Sequence, residues 1–93
     1  MNILKDIYAE KYKELGLKIA YYRKEANLTQ EQLAEKIGKN AAFIGHVEAP
    51  NINKAISLDT LFDISEALNI PTYAFFIDFK MSLSILRDIA SLS

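Results

Sequence analysis

The spacing of apolar residues predicts a chain built from helices. Ile3, Ile7, Tyr12, Leu15, Ile19 and Tyr22 fall along one side of a helix over about residues 3–26, the periodicity of an amphipathic helix. Gly16 lies within it and leaves open a division into two shorter helices. Leu33, Ala34 and Ile37 give a second stripe over about 30–37, and Ile44 and Val47 a third over about 41–49. Pro50 ends that third helix, because the residue before a proline is pushed out of the helical region. Residues 50–56 then read as a loop. A helix over about 58–68 follows, with Ser57 as its cap and Asp59 in its first turn, where the helix dipole favours negative charge. Asn69 and Pro71 stop it, and Thr72 is placed to cap a short helix carrying Tyr73, Phe75 and Phe76 into the core.

Residues 79–92 predict a last helix whose apolar face is wider than one core requires. Phe79, Met81, Leu83, Ile85, Leu86, Ile89, Ala90 and Leu92 cover more than half of its circumference. A helix packed on a single core needs an apolar stripe of about 100° or slightly more. The surplus points to a second contact, with the same helix of another subunit as the simplest case. Phe79, Leu83, Leu86 and Ile89 are the candidate dimer contacts. Cover within one chain by the N-terminal extension is the alternative.

The densest local signals lie in residues 28–48. Thr29 can cap the second helix with its hydroxyl while Gln32 reaches back to the Thr29 N–H, a capping box. Ala34 is small where the next helix must cross closely. Gly38 follows the last periodic residue, where a left-handed turn costs least without a Cβ. Asn40 is a good cap for the helix that follows. The order of cap, small residue, glycine and two inward aliphatics is much more specific than any one of its parts.

That segment resembles the helix-turn-helix of the phage repressor/Cro-like (XRE-type) transcription regulators. The likeness spans roughly residues 16–77, from Leu17-Lys18-Ile19-Ala20-Tyr21-Tyr22-Arg23-Lys24 to Ala67-Leu68-Asn69-Ile70-Pro71. It implies a lambda-repressor-like five-helix, all-α DNA-binding domain. A helical extension over 1–15 and an added amphipathic helix over 78–93 lie outside the likeness, with the whole read as a single domain. The reading unit is 29–49.

The resemblance also implies where DNA would be touched: Thr29 and Gln30 at the start of the second helix, then Asn40, Ala41, Ala42, Gly45 and His46. Gln30 can grip a phosphate or accept from and donate to adenine. Lys39 sits beside a helix N-terminus, where charge and dipole both attract phosphate. Arg23 and Glu48 match positions that pair between the first helix and the end of the third, holding Arg23 near the DNA backbone. Asn51, Asn53 and Lys54, in the loop after the third helix, fit either phosphate contacts or plain turn residues.

Relatives commonly carry long polar side chains where this chain has Ala41, Ala42 and Gly45. One explanation is a fold that no longer reads DNA. The other is a thin helix that approaches the base edges closely, touching thymine methyls and reading shape. His46 is then the main polar reader, or else simply a solvated surface residue.

Composition narrows the alternatives. Ninety-three residues make one small domain. With no cysteine and one histidine, neither a disulfide framework nor a conventional zinc site is available. No cofactor or small-molecule ligand is implied. Lys5, Asp6 and Glu10 interrupt the N-terminal apolar residues, against a signal peptide, and no apolar run has the ~18–20 residues of a membrane span. A cytoplasmic protein is expected. The net charge of −1 is unusual for a nucleic-acid binder, but the charge is uneven: residues 1–40 hold eight Lys/Arg against six Asp/Glu, and 41–93 hold three against six. No P-loop, glycine fingerprint or nucleophile–base arrangement supports an enzyme. The expected partners are double-stranded DNA and a second copy of the chain. An adaptor or antitoxin-like interaction module is the alternative.

Overall fold

The computed structural model describes residues 7–52, 54–77 and 91. Those residues are helical and contain no strand: α1 (Ala9–Glu25), α2 (Gln30–Lys36), α3 (Ala41–Glu48), α4 (Leu58–Leu68) and a closing 3-10 helix (Thr72–Phe76). The expectations for residues 1–6, for Asn53 and for the helix bearing Phe79, Leu83, Leu86 and Ile89 lie outside the described residues.

α2, α3 and α4 each start on a side-chain cap. The Thr29 hydroxyl accepts from the Gln32 N–H at 3.0 Å and the Gln32 side chain accepts from the Thr29 N–H at 2.8 Å, completing the capping box. Asn40 accepts from the Phe43 N–H at 2.9 Å, and Ser57 from the Thr60 N–H at 3.2 Å. Such caps occupy backbone donors that have no partner within the helix.

The ends are equally regular. Asn27, Gly38 and Asn69 have φ of 59°, 70° and 56°, all left-handed. At each, the N–H one residue further on bonds back across the last turn: Leu28 to the Arg23 carbonyl, Lys39 to Ala34, and Ile70 to Ser65. Left-handed residues of this kind reverse the chain abruptly and satisfy the final carbonyls. At α3 the stop is different. Ala49 is extended, with ψ 122°, as Pro50 requires.

Packing converges on one core. α2 and α3 lie against each other, α1 crosses α3, and α4 with the 3-10 helix closes against α1. Ile19, Leu33, Ile44 and Ile64 are the largest fully enclosed side chains, each worth about 1.5–3 kcal/mol relative to exposure. Tyr22 meets the buried Phe75 edge-to-face at 5.9 Å.

Three expectations change. Gly16 does not divide α1, which runs through it unbroken. A Cβ there would collide with the Val47 carbonyl of α3, so the glycine sets the closeness of the α1–α3 crossing. Thr72 caps nothing: Pro71 precedes the 3-10 helix and no side chain caps it, while the Thr72 hydroxyl shares a 2.8 Å hydrogen bond with Ser65. Tyr73 and Phe76 are 65% and 64% exposed rather than buried. Three residues per turn explains this, because positions three apart eclipse. Thr72 and Phe75 therefore face inward, and Tyr73 and Phe76 face out. Ile7, expected on the apolar side of the first helix, is also exposed.

Candidate nucleic-acid interface

The outer face of α3 is framed on both sides. At about 100° per residue, Ala42 and His46 lie opposite the buried Ile44 and Val47. Both are exposed. Ala41 and Gly45 border them on one side and Phe43 on the other. Nothing longer than a methyl group projects from Ala41, Ala42 or Gly45, so the surface is flat between its borders, with His46 its one long polar side chain.

On the Gly45 side stands a polar assembly rooted in the interior. Arg23 and Glu48 are only 7% and 8% exposed. The Arg23 Nε donates to Glu48 Oε2 at 2.7 Å and its Nη2 to Oε1 at 2.9 Å. Its Nη1 donates to the Leu28 carbonyl at 2.7 Å. This two-pronged match of guanidinium and carboxylate is the strong form of a charged hydrogen bond. The bond to Glu48, set against desolvation, raises the Arg23 pKa above its ordinary value. Gln30, the first residue of α2, completes the assembly: its Nε2 donates to Glu48 Oε1 at 3.0 Å. Three helices are thereby joined at one carboxylate. Arg23 lies beneath the surface with its three nitrogens engaged, so its place is that of a strut behind the face.

On the other side Phe43 is half-buried against the core, and two cations share its ring. The Lys39 Nζ is 5.3 Å from the ring centroid and the Lys54 Nζ 5.4 Å, within the range of a cation–π contact. Lys54 thus reaches back from the loop after α3 to the side on which Lys39 enters it. Asn51 is exposed in the turn before it. Asn40 and Thr29 are exposed, and their side-chain oxygens are occupied by capping.

The structure therefore gathers Gln30, Lys39, Ala41, Ala42, Gly45, His46 and Lys54 on or beside one face. Sequence reasoning missed two connections. The Gln30–Glu48 bond spans eighteen positions and leaves no local signal. Phe43 was readable only in part: Lys39 stands four residues before it, astride a helix start, whereas nothing in the chain announces Lys54.

The geometry is two short capped helices around a left-handed glycine, the second with one face buried and the other open. The sequence pattern of the helix-turn-helix family matches residues 19–75. The chain belongs to the helix-turn-helix family. Within it, this helix-turn-helix protein is of the XRE type, a group of DNA-binding transcription regulators. No curated protein matches the chain. Among solved structures it is similar to a hypothetical transcription factor, NHTF, from Neisseria, with a TM-score of 0.71 and 20% identity over 80% of this chain and 83% of the other. At that identity the likeness concerns the fold. Among the described residues of this helix-turn-helix protein, no helix is long and apolar enough to cross a membrane.

Proposed function

We propose that the protein is a sequence-specific DNA-binding regulator that inserts α3 into the major groove and acts as a homodimer on a two-fold symmetric operator. The observation that carries this reading is the framed, flat outer face of α3. Its surface, carrying nothing longer than a methyl group apart from His46, suits close approach to base edges, and Lys39 and Lys54 beside it suit the phosphates that set register. His46, Ala41, Ala42 and Gly45 face the bases. Asn40, Asn51 and Asn53 flank the backbone, and Thr29 holds α2 in position. Two such helices in a dimer would enter successive major grooves about 34 Å apart. The apolar positions Phe79, Leu83, Leu86 and Ile89 supply the dimer contact. Such a regulator works where the genome is, in the cytoplasm, and needs no cofactor.

Selection from random-sequence DNA with the full chain, followed by gel shift, tests the reading. An enriched two-fold symmetric site supports it, and failure to enrich any sequence at moderate salt defeats it.

The exposed Tyr73 and Phe76 favour a second reading, an interaction module on the same fold. Beside them the 3-10 helix and α1 enclose a groove in which Tyr12, Leu15, Phe75 and Phe76 are flanked by the charged Lys11, Glu14 and Lys18. This reading predicts weak DNA binding with a shallow salt dependence, because few phosphate charges would be neutralised.

A further inference from the structure

The Gln30 side chain has one orientation dictated by chemistry. An ionised carboxylate can only accept hydrogen bonds, so the amide nitrogen, and not the oxygen, must face Glu48. The nitrogen does so at 3.0 Å. The same Glu48 oxygen takes a bond from Arg23 Nη2 at 2.9 Å, which holds the carboxylate still beneath the amide. Gln30 Oε1 is thereby turned toward α3, where it lies 3.5 Å from the point at which a Cβ on Gly45 would sit. With only hydrogen at position 45, that oxygen stands over the bare side of the reading face.

We infer that Gln30 is a specificity-determining residue that presents its carbonyl oxygen to an exocyclic amino group on a base edge in the major groove. The inference rests on the DNA-reading function proposed above. A phosphate contact is the poorer match, since phosphate oxygens are acceptors and call for a donor. A phosphate contact would have to use the second amide N–H, the one not spent on Glu48, whereas the atom turned toward α3 is an acceptor. In the major groove the amino donors are adenine N6 and cytosine N4. The consequence is a division of labour: α3 supplies shape and methyl contacts, and the polar reader beside Gly45 comes from α2.

The test uses the full chain and an operator selected with it. Base preferences are determined for the wild type and for Gln30→Ala. In parallel, the wild type is titrated against operators in which a single adenine or cytosine lacks its amino group. The inference expects one position per half-site where removing the amino group weakens wild-type binding roughly fivefold or more but leaves Gln30→Ala binding unchanged. Uniform weakening of all sequences by Gln30→Ala, with the salt dependence unchanged because the amide carries no charge, would identify a phosphate clamp and overturn the inference while leaving DNA reading intact. The base analogues probe the unaltered protein, so their result stands even where the variant folds poorly. Failure of the wild type to enrich any sequence would overturn DNA reading itself and the inference with it.

Discussion

The two faces of α3 follow opposite rules. Its inner face carries Ile44, Val47 and Glu48, all buried, and both oxygens of the Glu48 carboxylate are matched by partners on other helices. Its outer face carries Ala41, Ala42, Gly45 and His46 and is polar chiefly at its margins. The inner face therefore settles where the helix lies, and the outer face settles little until something is laid against it. On the proposed reading, stability and recognition separate along a helix eight residues long, except at Glu48, which serves both.

That separation can be broken most severely at Glu48. Glu48→Ala leaves the Arg23 guanidinium buried without its carboxylate, a loss of about 3–5 kcal/mol. The Tm should fall by roughly 12 °C or more in a domain of this size. A thermal melt that drops by less than about 4 °C would show that Arg23 had found another partner. Next in size is Gly16→Ala, whose methyl group meets the Val47 carbonyl. Crowding of this kind costs about 1–3 kcal/mol and outweighs the better helix propensity of alanine. Urea unfolding should show a lower midpoint, and an unchanged midpoint would mean that α1 and α3 can part without cost.

Gly45→Ala should act in the opposite sense. Its Cβ finds ordinary contact distance to Gln30, and alanine is favoured over glycine in a helix by about 1 kcal/mol. The protein should become more stable while its operator affinity falls, a pairing that places position 45 on the outer face. A gain in both would remove Gly45 from the DNA contact. The smallest effect on stability is expected at Lys54→Ala, within about 0.5 kcal/mol. Its signature is electrostatic: the slope of log affinity against log salt should become shallower by about 1. An unchanged slope would leave Lys54 as a cover for Phe43 alone.

Features legible in the sequence were those decided within a few residues. Thr29 with Gln32, Asn40 with Phe43, and Ser57 with Thr60 are caps set by local geometry, and Gly38 is a turn that side chains rarely permit. The Arg23–Glu48 pair, twenty-five positions apart, was accessible only through resemblance to a family. Gly16 was misleading because a glycine inside a helical pattern looks the same whether it weakens the helix or admits a neighbour. Distinguishing the two requires the position of the Val47 carbonyl. Thr72 misled for a different reason: the chain closes in a 3-10 turn in which Thr72 and Phe75 share the inward face, so Tyr73 and Phe76 face out and the Thr72 hydroxyl meets Ser65. The frame of the candidate interface was the least legible part, since Gln30, Glu48, Phe43 and Lys54 meet only after the helices have packed.

The shared carboxylate has an evolutionary consequence. Ala41, Ala42 and His46 can be exchanged with little penalty to the fold, so they are free to drift and to acquire new target sequences. Gln30 is not free in the same way, because it shares its anchor with the interior. On the proposed reading, a lineage retuning this protein would change its preferences stepwise along α3 while keeping the Gln30 contact at its border.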